Sequence, residues 1–363
     1  IGVAFSANLL TLYLFYEMLS LSTYPLVTHK QDAEARSAGR KYLTYLLGTS
    51  VALTLPAMIL IYVLTGTLDF SVGGILAGKA DASTVSILLV LLVFGFAKAA
   101  VMPLHGWLPA AMVAPTPVSS FLHGVAVVKV GVFSILRMVF FIFGTGLLAD
   151  LNLGAVLTAL ASVTILGASL VALTQDNLKR RLAYSTISQL SYMILGAGML
   201  TTAGMAGGLL HLSMHAFGKI TLFLCAGAIY IAAHKSNISE MDGLGRRMPV
   251  TYAAFFMASL SIIGMPPMGG FLSKWSLVVG AIDGGQLLLV AVVLVSSLLS
   301  AAYFFPIVYR GFFARAAGEN GPEEIREAPI LCLIPLSVTA LFCLGLFLWP
   351  SLALQLIQMV VSP

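Results

Sequence analysis

The chain has 363 residues, of which 33 are charged (19 Lys+Arg and 14 Asp+Glu) and 59% are hydrophobic, and its mean hydropathy is +1.00. That composition excludes a water-soluble globule, which needs more polar surface than these side chains supply, and marks an integral membrane protein. The net charge of +5 is too thinly spread to indicate nucleic acid. Cys225, Cys332 and Cys343 sit in apolar runs without CxxC or Cys/His spacing, which argues against a disulfide framework, zinc or an iron–sulfur cluster. No redox centre, metal or cofactor is expected.

Residue 1 is Ile and the chain enters an apolar run at once, with no signal-peptide n-region or cleavage site, so a fragment lacking its N-terminus is expected. A membrane-crossing helix needs about 20 apolar residues. Ten segments qualify: 1–27, 41–65, 84–103, 117–144, 151–174, 184–201, 204–233, 250–282, 286–309 and 329–349. They are too long, and alternate too little, for the strands of a β-barrel. The expected fold is an all-α, polytopic membrane protein with about ten transmembrane helices.

Ten crossings place alternate connectors on one side. That side collects Lys30, Arg36, Arg40, Lys41, Lys179, Arg180, Arg181, Lys235, Arg246, Arg247, Arg310, Arg315 and Arg326, while the other has Lys79 alone. The asymmetry predicts cytoplasmic Lys/Arg-rich connectors and an outside first residue. Membrane anchoring of this kind suffices to explain Lys179, Arg180 and Arg181.

Five cations remain inside the predicted spans: Lys98, Lys129, Arg137, Lys219 and Lys274, joined by Glu17, His123, His211 and His215. A charge at the bilayer centre costs about 2.5–3.5 kcal/mol on insertion scales, so such groups face a bundle interior or a wet cavity. Arg137 lies near a helix end and can snorkel to the interface.

After Lys98 the third span runs into Pro103, Pro109, Pro115 and Pro117; in the eighth, Gly264, Pro266, Pro267, Gly269 and Gly270 precede Lys274. Two interrupted helices, each with a lysine near the break, point to an inverted-repeat transporter. Their separation by five spans makes the two equivalent helices antiparallel, as inversion requires. Prolines that merely kink two long helices would leave the lysines unexplained.

In the seventh span His211, His215 and Lys219 are spaced i, i+4, i+8 and share one helix face over about 12 Å. Imidazole both donates and accepts protons, and a lysine deprived of water can release one, so the ladder suits a proton relay. Interhelical hydrogen bonding for packing is the alternative. The HxxxH spacing fits zinc, but no neighbouring carboxylate or thiol completes a site. Glu17, the only carboxylate inside a span, needs a cation or a proton, and Lys98 is its expected partner. Such a pair is either a switch or a static lock between helices. Lys129 lies six residues beyond His123, on a different face. Ser185, Thr186, Ser188, Gln189 and Ser191 either line a wet half-channel or pack between helices. His105 and Trp107 sit at the proline-rich break, where aromatic anchoring at the interface is expected.

At these residues the chain resembles the antiporter-like membrane subunits shared by respiratory complex I, membrane-bound hydrogenases and Mrp-type cation/proton antiporters. The strings YEMLSLSTYPLV, AGRKYLTYLLGTS, FAKAAVMPLHGWLPAAMVAPTPVSSFLHGVAVVKVGVF, LKRRLAYSTISQLSYMILG, HLSMHAFGKITLFLCAGAI and GMPPMGGFLSKW carry the resemblance in order along the chain, and the HGVAVVKVGVF and AGAI wording is most similar to the D-type members of Mrp antiporters or their hydrogenase relatives. It implies two inverted repeats, here 1–145 (N-terminally incomplete) and 146–310, with 311–363 as a cytoplasmic connector and last helix. It also implies a relay of Glu17, Lys98, Lys129, His211, His215, Lys219 and Lys274, with His123 and His105 as accessories. Some members carry glutamate at the position of Lys274, helices before the one holding Glu17, or a long amphipathic helix after the last span; this sequence has none of the three. The partners implied are other membrane subunits, the lipid bilayer, transported protons and Na+ or K+, in the plasma (inner) membrane of a prokaryote.

The function expected is proton translocation, or monovalent cation/proton antiport, by one subunit of a multisubunit complex. No bond chemistry is expected of the chain itself; its parent would be an NADH-quinone oxidoreductase, a hydrogenase or an antiporter. A non-conducting subunit that couples conformational change is the principal alternative, and an organic-solute carrier, which would need a substrate-sized cavity at the breaks, is a third.

Overall fold

The computed structural model describes residues 1–314 and 325–361; Arg315 and part of the 311–363 segment lie outside the described residues. The described residues form a helical bundle. Its main helices are α1 (Leu9–Val27), α2 (Ala33–Thr65), α3 (Ala82–Gly95), α4 (Thr116–Gly124), α5 (Val127–Met138), α6 (Leu153–Thr174), α7 (Leu178–Gly198), α8 (Thr202–Ala233), α9 (Pro249–Ile263), α10 (Gly269–Asp283), α11 (Leu287–Phe313), α12 (Ile330–Leu348) and α13 (Ser351–Val361).

Polar residues at the connectors start these helices by accepting from backbone N–H groups that have no intrahelical partner. Asn8 accepts from Thr11 N at 2.8 Å, Asp32 from Ala35 N at 2.7 Å, Asn177 from Arg180 N at 3.1 Å and Thr201 from Gly204 N at 3.2 Å. Among the described residues, six helices are long and apolar enough to cross a membrane: α2, the α4–α5 pair, α6, α8, α11 and α12. The other four predicted spans are helical too, but two of them, α1 and α7, carry polar residues, and the other two are interrupted. An eleven-residue helix, α13, follows the last predicted span, which hydrophobic run length alone did not predict.

Helix α7 is the most polar of the long helices after its start, yet 18 of its 21 residues are buried, which places it at the centre of the bundle. Small residues join α8 to α7 on one side and to α10 on the other. A Cβ at Gly196 would stand 2.5 Å from Gly204 O and 2.8 Å from Gly208 Cα, and one at Gly280 would stand 2.2 Å from Gly204 N. Backbones this close exclude lipid and side chains alike, and let polar groups of adjacent helices meet.

Both interruptions fall where proline and glycine place them. Helix α3 stops at Gly95, a short 3-10 turn Ala97–Ala99 holds Lys98, and Ala100 turns left-handed at φ 55. Helix α9 ends on Gly264 at φ 88, and α10 restarts at Gly269. Trp107 corrects one expectation. It does not anchor at an interface but is wholly buried, donating from Nε1 to Ala97 O at 2.9 Å, so it braces the first break from inside. Arg181 corrects another: it is buried, with Nε on Gln175 O (2.8 Å) and Nη1 on Tyr303 O (2.9 Å). It therefore ties the end of α6 to α11 rather than lying in the headgroup layer. Arg137 is half-buried near the end of α5; its guanidinium donates to Ser6 O at 2.6 Å and lies 4.3 Å from the Phe70 ring centroid.

Candidate functional site

Every lysine assigned to a predicted span is buried, and each meets its oxygen partners at a helix end, a turn or a neighbouring helix. Lys98 sits in the first break with its ammonium on Tyr16 O and Ser20 Oγ, both at 2.6 Å, and 3.1 Å above the Tyr16 ring; its own N–H donates to the Tyr16 hydroxyl at 3.1 Å. The expected Glu17–Lys98 ion pair is therefore not closed. The lysine takes the residues one before and three after Glu17, and both carboxylate oxygens of Glu17 are buried with no hydrogen-bond partner. The two remain close enough to interact electrostatically. The physical reason is local: α1 turns the Tyr16 carbonyl and Ser20 hydroxyl toward the break, and these two neutral oxygens take the ammonium in place of the Glu17 carboxylate.

Beyond the break, α5 crosses so tightly that a Cβ at Gly131 would stand 2.1 Å from Ala99 N. Two residues earlier on the same helix, Lys129 donates to Leu212 O at 3.0 Å and contacts His215 Nδ1 at 2.7 Å. This joins α5 to the polar face of α8. One turn along α8, the His211 ring lies 6.1 Å from that of His215, with Nδ1 on Ser273 Oγ (2.9 Å) and Nε2 on Gln189 Oε1 (3.0 Å). The predicted face is therefore a contact between α8, α7 and α10. His215 Nε2 is buried without a partner.

Lys274, next to Ser273, reaches back across the second break to Ile263 O at 3.0 Å and to Ser297 Oγ at 3.0 Å. Its ammonium thus sits on a carbonyl at the C-terminal, negative end of α9, where a cation is favoured. It also lies 4.7 Å from the Tyr192 ring, which is 5.5 Å from that of His211. From Lys129 to Lys274 the described residues form one chain of contacts.

Lys219 stands apart from this chain. It donates to Leu182 O at 3.2 Å and faces the Phe304 ring at 5.6 Å. His123 is fully buried against Phe223 at 4.7 Å with neither ring nitrogen bonded, and His105, part-exposed, lies 6.2 Å from Tyr184. The α7 hydroxyls hydrogen-bond across helices: Ser188 to Ser169 at 2.9 Å, and Ser185 to the Tyr303 hydroxyl at 3.0 Å, itself 2.9 Å from Ser300. Sequence reasoning missed Tyr16, Ser20, Tyr192, Ser273 and Ser297. The signal was available in part, because each is a hydroxyl residue within an apolar span and Tyr16 and Ser273 adjoin a charged one.

These features define a polytopic membrane protein with two interrupted helices and a buried basic line between them. The chain belongs to the NADH:quinone oxidoreductase/Mrp antiporter transmembrane family, whose model matches residues 6–300. It is 35% identical over 363 residues to NADH-quinone oxidoreductase subunit N of Desulforudis audaxviator, covering 96% of this chain and 72% of that one. It is 34% identical over 345 residues to NADH-quinone oxidoreductase subunit L of Mycobacterium tuberculosis, covering 92% of this chain and 52% of that protein. The chain thus spans about half the length of this second relative. Its fold matches a chain in the Mrp complex of Dietzia sp. DQ12-45-1b with a TM-score of 0.88 at 24% identity, covering 99% of this chain and 75% of that one.

Proposed function

We propose that the protein translocates protons through the Glu17, Lys98, Lys129, His215, His211 and Lys274 line, with Lys219 as a side station and His123 and His105 as accessories. It does so as one subunit of a larger membrane complex, and exchanges Na+ or K+ where that complex is an antiporter. The observation that carries this reading is the 2.7 Å contact between Lys129 Nζ and His215 Nδ1. It places two buried protonatable groups within hopping distance, with His211 one turn beyond. Neither group has a carboxylate partner that would hold its charge fixed, so the site suits a mobile proton better than a static ion pair. Residues 1–145 and 146–310 act as inverted halves, each contributing one interrupted helix, and 311–363 supplies the connector and the last helix.

The test is proton flux through the reconstituted parent complex carrying Glu17→Gln, Lys98→Ala or Lys274→Ala. Each is expected to reduce flux by about tenfold or more, and near-normal flux in all three would remove the relay. The same reading places the protein in a prokaryotic plasma membrane with its Lys/Arg-rich connectors in the cytoplasm. A membrane-impermeant thiol reagent added outside intact cells is expected to label Lys79→Cys and to spare Lys235→Cys; the reverse pattern would invert the orientation.

A further inference from the structure

A cavity of about 1150 Å³ opens at the cation-rich ends of the helices. One wall is the start of α2 and the start of α7, and another is the end of α8 and the start of α12. Lys30, Lys41, Lys179, Arg180 and Lys235 line it against a single carboxylate, Glu34. Among the described residues, none of these five cations forms an ion pair within 4.0 Å. Lys179 is half-buried there, donates to Ala114 O at 2.6 Å, and is pushed down to about 8 by burial and by the charge of Lys30. A concentration of unpaired positive charge in a concave site is an electrostatic deficit that an anion relieves.

The cavity is not closed on its outer side. Tyr230 and Ile231 on α8 are 53% and 50% exposed and Leu331 on α12 is 80% exposed, and all three line the same space. Both helices belong to those long and apolar enough to span the membrane. A soluble anion would use the cations and leave this apolar flank in contact with water. A molecule with a phosphate at one end and hydrocarbon at the other would use both, and the volume exceeds the 300–1,000 Å³ or so typical of small-ligand pockets.

We propose that this cavity binds an anionic phospholipid, its phosphate between Lys30, Lys179, Arg180 and Lys235 and its acyl chains along Ile231 and Leu331. Clustered Lys and Arg beside membrane helices recognise acidic headgroups in this way. The bound lipid occupies the space that the described residues leave open beside the end of α8 and the start of α12.

The test equilibrates the purified full-length chain with vesicles of equal phosphatidylglycerol and phosphatidylcholine and counts retained lipids by native mass spectrometry. The expected result is preferential retention of phosphatidylglycerol, reduced by about tenfold or more in the exposed triple variant Lys30→Ala/Arg180→Ala/Lys235→Ala. Lys79→Ala, on the opposite side, retains it fully and shows that the loss is not a general charge effect. Equal retention of the two lipids, or unchanged retention in the triple variant, overturns the proposal. Complete displacement of phosphatidylglycerol by inorganic phosphate identifies a free-anion site instead and overturns the lipid assignment. Loss of the retained lipid on assembly with other membrane subunits assigns the cavity to a subunit interface, and overturns it as well.

Discussion

Lys129→Ala is expected to lower proton flux through the assembled complex by about a hundredfold, and Lys129→Arg is expected to fail nearly as badly. Lys129 is the group that joins α5 to the histidine face of α8, through His215 Nδ1 at 2.7 Å and Leu212 O at 3.0 Å. Alanine removes the bridge and leaves both ring nitrogens of His215 buried and unpartnered, since Nε2 already has no bond. Arginine keeps the positive charge and several donors, so a purely structural bridge would survive it in large part. It cannot release its proton in a protein, so a relay would not. Flux assayed with a pH-sensitive dye inside the vesicles separates the two. Recovery of at least half the wild-type flux by Lys129→Arg would make the contact a packing device and the relay would have to run elsewhere.

The second large effect touches no titratable group. Gly131→Ala and Gly270→Ala are expected to abolish transport and to destabilise the protein by about 1–3 kcal/mol each. A Cβ at Gly131 would stand 2.1 Å from Ala99 N and one at Gly270 would stand 1.8 Å from Ser261 O. Both obstacles are backbone, so neither can rotate away. The first glycine presses α5 against the turn carrying Lys98, and the second holds α10, with Lys274, against the end of α9. Adding a methyl group pries each half-helix from its support and moves the lysine off its carbonyl partner. Thermal unfolding of the purified protein, read beside flux, checks both parts. Gly146→Ala, where nothing stands within 4 Å of the new methyl, is the matched control and is expected to be silent.

What was legible in the sequence follows from how local each determinant is. The helical fold and both breaks were readable, because hydrophobic run length and the chemistry of proline and glycine act within a few residues. His211 and His215 were placed on one face correctly because helical periodicity alone fixes it. The partners of the charged residues were not readable. Lys98 takes a carbonyl and a hydroxyl of α1 instead of Glu17, and nothing in the order of residues says which way α1 turns. Arg181 looked like its neighbours Lys179 and Arg180 in a run of three cations, yet it is buried and bonded to the α6 end and to Tyr303 O. Trp107 read as an interface anchor because it lies near a helix end; its burial depends on the chain doubling back after Ala100. In each case the error concerns a long-range contact, which composition and periodicity do not encode.

The Ser188–Ser169 and Ser185–Tyr303 bonds bear on the question that sequence left open for the α7 hydroxyls. They join three helices and are fully buried, so they pack the bundle together.

The central claim, that the intramembrane lysines carry protons and do not merely hold helices together, is tested most directly by charge displacement. The parent complex bearing Lys98→Met, Lys129→Met, Lys219→Met and Lys274→Met together is reconstituted in vesicles and its transmembrane current is recorded beside its driving reaction. Methionine keeps much of each side chain's length and cannot bind a proton. The account predicts an assembled complex whose driving reaction continues while the share of charge moved through this chain is lost; charge displacement equal to that of the unmodified complex would contradict it.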